Sequence, residues 1–293
     1  EANTLAHKAG FNLGDTMESA RNRYQIAKAP VDAGVYRKIS GNEALVYGLV
    51  AAAKQAKLEL LYAGYPITPA SPILEGLSAL KHFGVKTIQA EDEIAAMGMA
   101  LGASFTGKLS VCATSGPGMC LKSEFIGLAS ITELPLIICN IQRGGPSTGL
   151  PTKTEQSDLL QALFSRHGDC PLPIVAAHSP SDCFDCVIEA VRIAITYMTP
   201  VIFLSDLYVA NGAEPWLVPN IGDLPEIENS FASTEEEYVI YRRDSETLAR
   251  KQAIPGQVGL EHRIGGLEKS EDGSVSYDPD NHEQMTHLRE QKV

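Results

Sequence analysis

The sequence has few basic residues, few cysteines and no long apolar run, and each shortage excludes a class of protein. Its 24 Lys and Arg residues face 36 Asp and Glu residues, which gives a formal charge of −12. This acidity argues against a nucleic acid or an anionic membrane as partner, because both attract clustered positive charge. No apolar stretch approaches the roughly 18 residues of a membrane span, and no secretory leader opens the chain. We therefore expect a cytoplasmic protein.

The six cysteines do not have the spacing of a metal site or of a disulfide framework. Most lie inside apolar segments, where a reduced and buried thiol is typical. Cys183 and Cys186 form a lone CxxC pair, and no second pair completes the four ligands of a zinc or iron–sulfur site. The sequence therefore predicts no metal bound to this chain. It also lacks the Gly-x-Ser-x-Gly elbow of many serine hydrolases.

Composition divides the 293 residues into three parts. Residues 1–39 have little apolar period, apart from a possible helix over Ala20–Ala29, and predict an N-terminal arm or linker. Residues 40–216 alternate between segments typical of strands and of helices. Residues 217–293 are acidic and punctuated by Gly and Pro, which predicts an extended C-terminal arm.

The middle part predicts a three-layer α/β fold. Six apolar segments are typical of strands: Leu58–Ala63, Lys86–Glu91, Ser110–Ser115, Pro135–Ile141, Pro173–Ala177 and Val201–Leu204. Helical segments surround them: 40–57 with a capping box at its start, Ser71–Phe83, Asp92–Thr106, Gly118–Ile131, Ser157–Phe164 and Asp182–Met198. Because the strand segments are apolar throughout, we expect both faces of the sheet to be covered by helices. The expected fold is a mostly parallel, roughly six-stranded sheet in a three-layer sandwich, flanked by irregular arms.

Four loops follow these strands at the edge where open α/β sheets bind ligands. They are Gly64–Pro69, Glu91–Glu93, Thr114–Gly118 and Gln142–Thr154. Each has a structural explanation, since Thr68 could cap a helix and Glu93 could complement a helix dipole. The last loop is long for a connector, however, and the guanidinium of Arg143 within it matches a carboxylate bidentately.

Together, the motifs of these loops closely resemble those of the alpha subunit of 2-oxoacid:ferredoxin oxidoreductases, nearest the 2-oxoglutarate type. The motifs are Tyr65–Pro69, Gln89–Ile94, Thr114–Gly118 and Gln142–Gly149. The likeness runs from about Ser40 to Trp216. It implies the fold that binds the aminopyrimidine ring of thiamine diphosphate. In that family a separate beta subunit holds the diphosphate with Mg²⁺, and usually a [4Fe-4S] cluster.

The resemblance also implies roles for individual residues. In the family, a glutamate nine residues before the Gly-Ala of the helix hydrogen-bonds the pyrimidine N1′, which gives Glu93 by counting back from Gly102. Glu91 is the fallback. Thr68 would contact the 2-oxoacid, and Arg143 with Thr152 match the family's substrate loop. Which substrate carboxylate Arg143 would bind is left open. The other cofactor-binding residues implied are Tyr65, Pro66, Ile67, Ser115 and Gly116.

The expected activity is CoA-dependent oxidative decarboxylation of a 2-oxoacid, with 2-oxoglutarate first and ferredoxin as electron acceptor. The chain would act as a heterodimer, or a dimer of heterodimers, with the beta subunit. A pyruvate-type enzyme, another thiamine diphosphate-dependent decarboxylase or synthase, and a non-catalytic scaffold remain alternatives. Family alpha chains often carry a preceding gamma domain and a following domain, and this chain begins at Glu1 instead of Met. We therefore expect a fragment or a processed subunit.

Overall fold

A computed structural model describes residues 1–17, 24–234 and 237–293 of the chain. The chain divides into two compact units, residues 1–35 and residues 36–293.

The first unit contains a helix, α1 (Ala2–Thr16), whose side chains are all exposed. The sequence predicted an irregular arm here, and for this stretch that prediction is wrong. The segment contains three Ala and two Leu residues, which favour a helix locally even without a long apolar period. The helix predicted over Ala20–Ala29 lies partly outside the described residues, and residues 24–29 are not helical.

The described residues of the second unit form eight strands and eight further α-helices. The strands are β1 (Tyr36–Ser40), β2 (Leu60–Gly64), β3 (Val85–Gln89), β4 (Leu109–Thr114), β5 (Leu136–Gln142), β6 (Ile174–Ala176), β7 (Pro200–Asp206) and β8 (Ala213–Leu217). The helices are α2 (Gly41–Gln55), α3 (Ser71–Ser78), α4 (Glu93–Phe105), α5 (Gly116–Thr132), α6 (Leu159–Phe164), α7 (Asp182–Tyr197), α8 (Leu207–Asn211) and α9 (Pro279–Gln291). Within the described ranges, no helix is both long and apolar enough to span a bilayer.

The main sheet has six strands among the described residues, in the order β3-β2-β4-β5-β7-β6. Each neighbouring pair is parallel, so the carboxyl ends of all the strands lie at one edge. The predicted parallel, six-stranded sheet is confirmed. The four central strands are buried along their whole length, whereas β3 and β6 are partly exposed. The expected burial of every strand on both faces is therefore wrong for the two edge strands, because each has a neighbour on one side only.

Alternate residues of the central strands enter two separate cores, one on each face of the sheet. On β5, for example, Ile137 and Cys139 pack with α2, α3 and α7, whereas Leu136 and Ile138 pack with α4, α5 and α6. This is the three-layer α/β arrangement that the sequence predicted. The predicted capping box is also present, since the Ser40 side chain accepts from the Glu43 N–H and the Glu43 side chain accepts from the Ser40 N–H.

Two strands that the sequence did not predict form a separate antiparallel pair. β1 pairs with β8, with Tyr36 opposite Leu217 and Ser40 opposite Ala213. Both strands are short and carry charged residues or proline, which hide the strand pattern. The domain limits proposed at residues 39/40 and 216/217 stay predictions.

Charged side chains that are buried attach the C-terminal segment, residues 218–293, to the end of α5. Glu133 follows α5 and is 2% exposed, and it accepts from both Arg243 and Lys292. Burial alone would raise the pKa of Glu133, but the charges of Lys292 and Arg243 outweigh burial and lower its pKa below the ordinary value. The C-terminal segment is therefore held to the end of α5 by buried ion pairs.

Helix α9 in this segment was not predicted from the sequence. Asp278, Pro279 and Asp280 lie in the acidic stretch for which the sequence predicts an extended arm. In the structure Asp278 is the N-cap of α9, its side chain accepts from the Asp280 N–H over 3.0 Å, and Pro279 occupies the first turn. A cap followed by proline is a helix start, so this signal was present and was misinterpreted.

Candidate active site

The candidate site lies at the carboxyl edge of β2, β4 and β5, where the predicted loops leave the sheet. Parallel strands bring these loops together because their carboxyl ends share one edge. Tyr65 follows β2, Ser115 follows β4 and Arg143 follows β5. Glu93 is the first residue of α4, behind the N-cap Asp92, whose side chain accepts from the Ala95 N–H over 2.8 Å.

Three side chains converge on Gly118 in the first turns of α5. The Tyr65 hydroxyl hydrogen-bonds the Thr114 hydroxyl over 2.6 Å. A methyl group at Gly118 would lie 3.1 Å from Glu93 Cγ, and still closer to Thr114 Oγ1 and Tyr65 Oη. Burial raises the pKa of Tyr65, and the nearby Glu93 charge adds to this, so the phenol stays protonated. The missing side chain of Gly118 thus allows a tyrosine, a threonine and a glutamate to meet.

We expect Gly118→Ala to disrupt this arrangement and to lower the free energy of unfolding by roughly 1–3 kcal/mol, as overpacking does. Gly127→Ala is the matched control on the same helix, because a methyl group there meets no heavy atom within 4 Å. That variant should be neutral or gain up to about 1 kcal/mol from helix propensity. Urea unfolding of both variants checks the prediction, and equal stabilities would contradict it.

A buried lysine, which the sequence analysis missed, borders this cluster. Lys122 is fully buried, and its ammonium donates to the carbonyl of Glu93 over 2.9 Å and lies 4.5 Å from the centre of the Tyr65 ring. The signal was its position: Gly118, Ile126 and Ala129, at helical spacing from it, are all buried. A lysine within such a stripe is unusual, because desolvating an ammonium is costly.

Ser115 presents a buried hydroxyl without a partner at the start of α5. The residue is 0% exposed and is the N-cap of α5, but its side chain does not cap the helix and Oγ has no hydrogen-bond partner in the structure. Next to it, a methyl group at Gly116 would lie 2.9 Å from Oδ2 of the buried Asp158. Buried hydroxyls are normally hydrogen-bonded, so the unpartnered Ser115 hydroxyl is an exception at this edge of the sheet.

Arg143 and Thr68 lie together and join two of the predicted loops. Arg143 is 8% exposed, and it donates to the Thr68 carbonyl over 2.6 Å and to the Thr148 carbonyl over 3.0 Å. Its Nε is buried and has no partner. Thr68 itself is exposed, as is Thr152, which lies farther along the Arg143 loop. Arg143 is therefore placed beside Thr68, but two of its three nitrogens already donate to the backbone.

The remaining predicted residues fall around these groups. Pro66 is exposed and Ile67 is half-buried, and both lie in the loop between Tyr65 and Thr68. Glu91 is exposed, whereas Glu93 is half-buried and its carbonyl contacts Lys122.

Residues 51–277 match the family described as pyruvate flavodoxin/ferredoxin oxidoreductase, thiamine diphosphate-binding. The chain belongs to this family.

Individual relatives agree with this assignment. The 2-oxoglutarate oxidoreductase subunit KorA of Mycobacterium tuberculosis is 55% identical over 294 residues, which cover 100% of this chain and 45% of the relative. The 2-oxoglutarate synthase subunit KorA of Archaeoglobus fulgidus is 44% identical over 191 residues, 65% of this chain and 54% of the relative. The chain therefore spans about half the length of the curated relatives it matches.

A solved structure has the same fold over nearly the whole chain. It is the 2-oxoglutarate:ferredoxin oxidoreductase from Magnetococcus marinus with 2-oxoglutarate, coenzyme A and succinyl-CoA bound. The TM-score is 0.89 at 36% sequence identity, over 99% of this chain and 50% of that chain.

The residues at the candidate site of this pyruvate flavodoxin/ferredoxin oxidoreductase family member fit an aminopyrimidine ring. Glu93 offers a half-buried carboxylate, and Ser115 offers a buried hydroxyl without a partner. A carboxylate and a hydroxyl are groups that can pair with the ring nitrogens and the amino group of such a ring. Among the described residues, no group of three His, Cys, Asp or Glu side chains could hold a metal ion.

Proposed function

We propose that this chain supplies the pyrimidine half of a thiamine diphosphate site in a 2-oxoacid:ferredoxin oxidoreductase. The enzyme would decarboxylate 2-oxoglutarate oxidatively, with CoA as acyl acceptor and ferredoxin as electron acceptor. The 2-oxoglutarate assignment rests on the names of the relatives and on the ligands of the Magnetococcus marinus structure. The observation that carries the proposal is the convergence of Glu93, Tyr65 and Thr114 on Gly118, beside the unpartnered Ser115 hydroxyl.

Glu93 would bind N1′ of the aminopyrimidine and share a proton with it. When bound, thiamine diphosphate supplies the carbon nucleophile and the electron sink for decarboxylation. The carboxylate at Glu93 would govern which ring nitrogen carries the proton, which is general acid–base work. Tyr65, Pro66, Ile67, Ser115 and Gly116 would line the ring. Tyr65 is fixed for this role by its bond to Thr114.

Arg143, Thr68 and Thr152 would recognise the 2-oxoacid. Arg143 is anchored through two carbonyls, and its Nε is buried without a partner. The exposed hydroxyls of Thr68 and Thr152 belong to the same pair of loops. A guanidinium held in this way presents charge and a fixed plane to a carboxylate.

We expect Arg143→Lys to raise the KM for 2-oxoglutarate at least tenfold in the assembled enzyme. An ammonium keeps the charge but cannot reproduce the planar, bidentate geometry of the guanidinium that donates to the Thr68 and Thr148 carbonyls. Arg166→Lys is the matched control, since Arg166 also donates to backbone carbonyls, those of Ala162 and Cys170. Steady-state kinetics measure both variants. An unchanged KM and kcat for Arg143→Lys would refute the role of Arg143 in binding the substrate carboxylate.

An exposed apolar surface next to the site supports a partner subunit. Large apolar side chains of α4, α5 and α6 are exposed there, among them Ile94, Leu121, Leu160 and Phe164. Apolar patches of this kind mark protein interfaces. We place the beta subunit on this surface, where it would bring the diphosphate, Mg²⁺ and a [4Fe-4S] cluster to the ring. The assembly would be a heterodimer or a dimer of heterodimers, and the chain alone should be inactive.

Ferredoxin should bind the beta subunit and not residues 221–293. This stretch has 16 acidic and 8 basic residues, and the structure buries five of the basic ones: Arg243, Arg250, Lys269, Arg289 and Lys292. The exposed surface of this stretch therefore has a larger excess of acidic over basic residues than its sequence has. It repels an acidic protein such as ferredoxin at low salt. Crosslinking of the assembled enzyme to ferredoxin checks this, and a crosslink within 221–293 would count against it.

Co-expression with the beta subunit tests the proposed function. We expect a brown complex that binds thiamine diphosphate and reduces ferredoxin when given 2-oxoglutarate and CoA. Turnover with pyruvate alone would indicate a pyruvate-type enzyme, and aldehyde release without ferredoxin would indicate a decarboxylase. A complex that binds no thiamine diphosphate would favour a scaffold and would overturn the proposal.

A further inference from the structure

Lys122 is a charged residue enclosed next to the proposed cofactor site. It lies one helical turn after Gly118, on the buried face of α5, and it is 0% exposed. Its ammonium connects two groups of the site: it donates to the Glu93 carbonyl over 2.9 Å and lies 4.5 Å from the centre of the Tyr65 ring. One side chain therefore touches both the start of α4 and the loop after β2.

The surroundings of Lys122 do not neutralise it as those of another buried lysine do. Lys292 pairs directly with Glu133, whereas in the described part of the chain Lys122 has no carboxylate oxygen at ion-pair distance. Burial lowers the pKa of Lys122, while the Cys112 thiol and the Glu93 charge act in the opposite direction. Burying an ammonium without a paired carboxylate costs free energy of folding. A lysine at this position is therefore unfavourable for stability, which is typical of functional sites.

We propose that Lys122 is a positioning residue for Glu93. The inference rests on the proposed function, in which Glu93 binds the aminopyrimidine. Lys122 fixes the first residue of α4 through its carbonyl and supplies a fixed positive charge close to the Glu93 carboxylate. The same ammonium holds the Tyr65 ring, whose hydroxyl bonds Thr114.

The titratable and charged groups that face Lys122 come from three elements. Glu93 and Asp92 belong to the start of α4, Cys112 to β4, and Tyr65 to the loop after β2. Burial raises the pKa values of both Cys112 and Tyr65, so the thiol and the phenol are neutral near pH 7. The negative charges that face Lys122 are therefore those of the two carboxylates, Glu93 and Asp92.

Three variants of the complex with the beta subunit separate position from charge. Lys122→Met removes both the hydrogen-bond donor and the positive charge. Lys122→Gln keeps a donor without the charge, and Lys122→Arg keeps the charge. We expect Lys122→Met to raise the Kd for thiamine diphosphate about tenfold by calorimetry, and to lower kcat about tenfold with the KM for 2-oxoglutarate unchanged. The acid limb of its kcat–pH profile should move up by about one unit. Lys122→Gln should show the pH shift with a smaller change in Kd, and Lys122→Arg should restore the profile.

Lys269→Met is the matched control, because Lys269 is also buried and donates to a backbone carbonyl, that of Leu267, over 3.1 Å. It should leave the Kd, kcat and pH profile unchanged. A Lys122→Met complex with wild-type Kd and pH profile, or with only a lower melting temperature, would overturn the proposal. If that variant fails to assemble, identical pH profiles for Lys122→Gln and Lys122→Arg overturn it instead. A wild-type complex that binds no cofactor refutes the proposed function. That result differs from failure of the Lys122 proposal, in which the wild-type complex binds the cofactor and the Lys122 variants behave like it.

Discussion

Glu93→Gln should lower kcat of the assembled enzyme at least about 100-fold, the usual effect of losing a general acid–base group. An amide keeps the size of the carboxylate and its contact with Gly118, but it cannot share a proton with a ring nitrogen. The fold should therefore survive while turnover is lost. Single-turnover reduction of ferredoxin measures the chemical step directly.

Glu91→Gln is the matched variant, two residues earlier in the same loop. Glu91 is exposed, whereas Glu93 is half-buried and lies near Tyr65. We expect Glu91→Gln to keep most of the activity and Glu93→Gln to lose it. The reverse result would move the role to Glu91, and near-normal turnover of both would remove the N1′ assignment.

Glu133→Gln should lower the free energy of unfolding by roughly 3–5 kcal/mol, as expected when a buried ion pair loses one partner. The substitution leaves the buried cations Arg243 and Lys292 without their carboxylate. Glu59→Gln is the matched control, since Glu59 also accepts from two lysines, Lys86 and Lys108, but at the surface. Its loss should be much smaller because water screens exposed pairs. Equal losses in urea unfolding would contradict the prediction.

The same cluster predicts a pH dependence. The pKa of Glu133 is lowered in the folded chain, so its contribution to stability is present above the ordinary value of 4.5 and is lost as the pH falls below that value. The wild type should therefore lose more stability than Glu133→Gln as the pH falls from 4.5 through the lowered pKa of Glu133, and denaturant midpoints measured at descending pH below 4.5 would show whether the two curves converge.

The parallel sheet could be predicted because its central strands are buried on both faces and are therefore apolar throughout. The residues missed obey other rules. β1 and β8 carry Arg37, Lys38 and Pro215, so their pairing depends on a long-range partner and not on a local pattern. Helix α9 is stabilised by Arg289, which donates to Glu268, and its own sequence is mostly polar. Such elements depend on tertiary contacts, which periodicity does not record.

The candidate site was partly predictable for the same reason. Parallel strands place their following loops at one edge, so Tyr65, Ser115 and Arg143 could be assigned to one region. The sequence could not indicate that Arg143 donates to the Thr68 carbonyl, or that Gly118 is where three side chains meet. Those facts depend on side-chain directions across separate elements. Lys122 could have been identified from the sequence, since a lysine interrupts the otherwise apolar and small residues on the buried face of α5.

The ion pairs of Glu133 also bear on the order in which the chain folds. They join residues 110 positions apart for Arg243 and 159 apart for Lys292. Closing such long loops costs entropy that shorter strand–helix connections do not. The sheet should therefore assemble first, and residues 237–293 should dock onto it late. Weakening this docking would then speed unfolding far more than it slows folding, so the lifetime of the native state depends on the last segment to arrive.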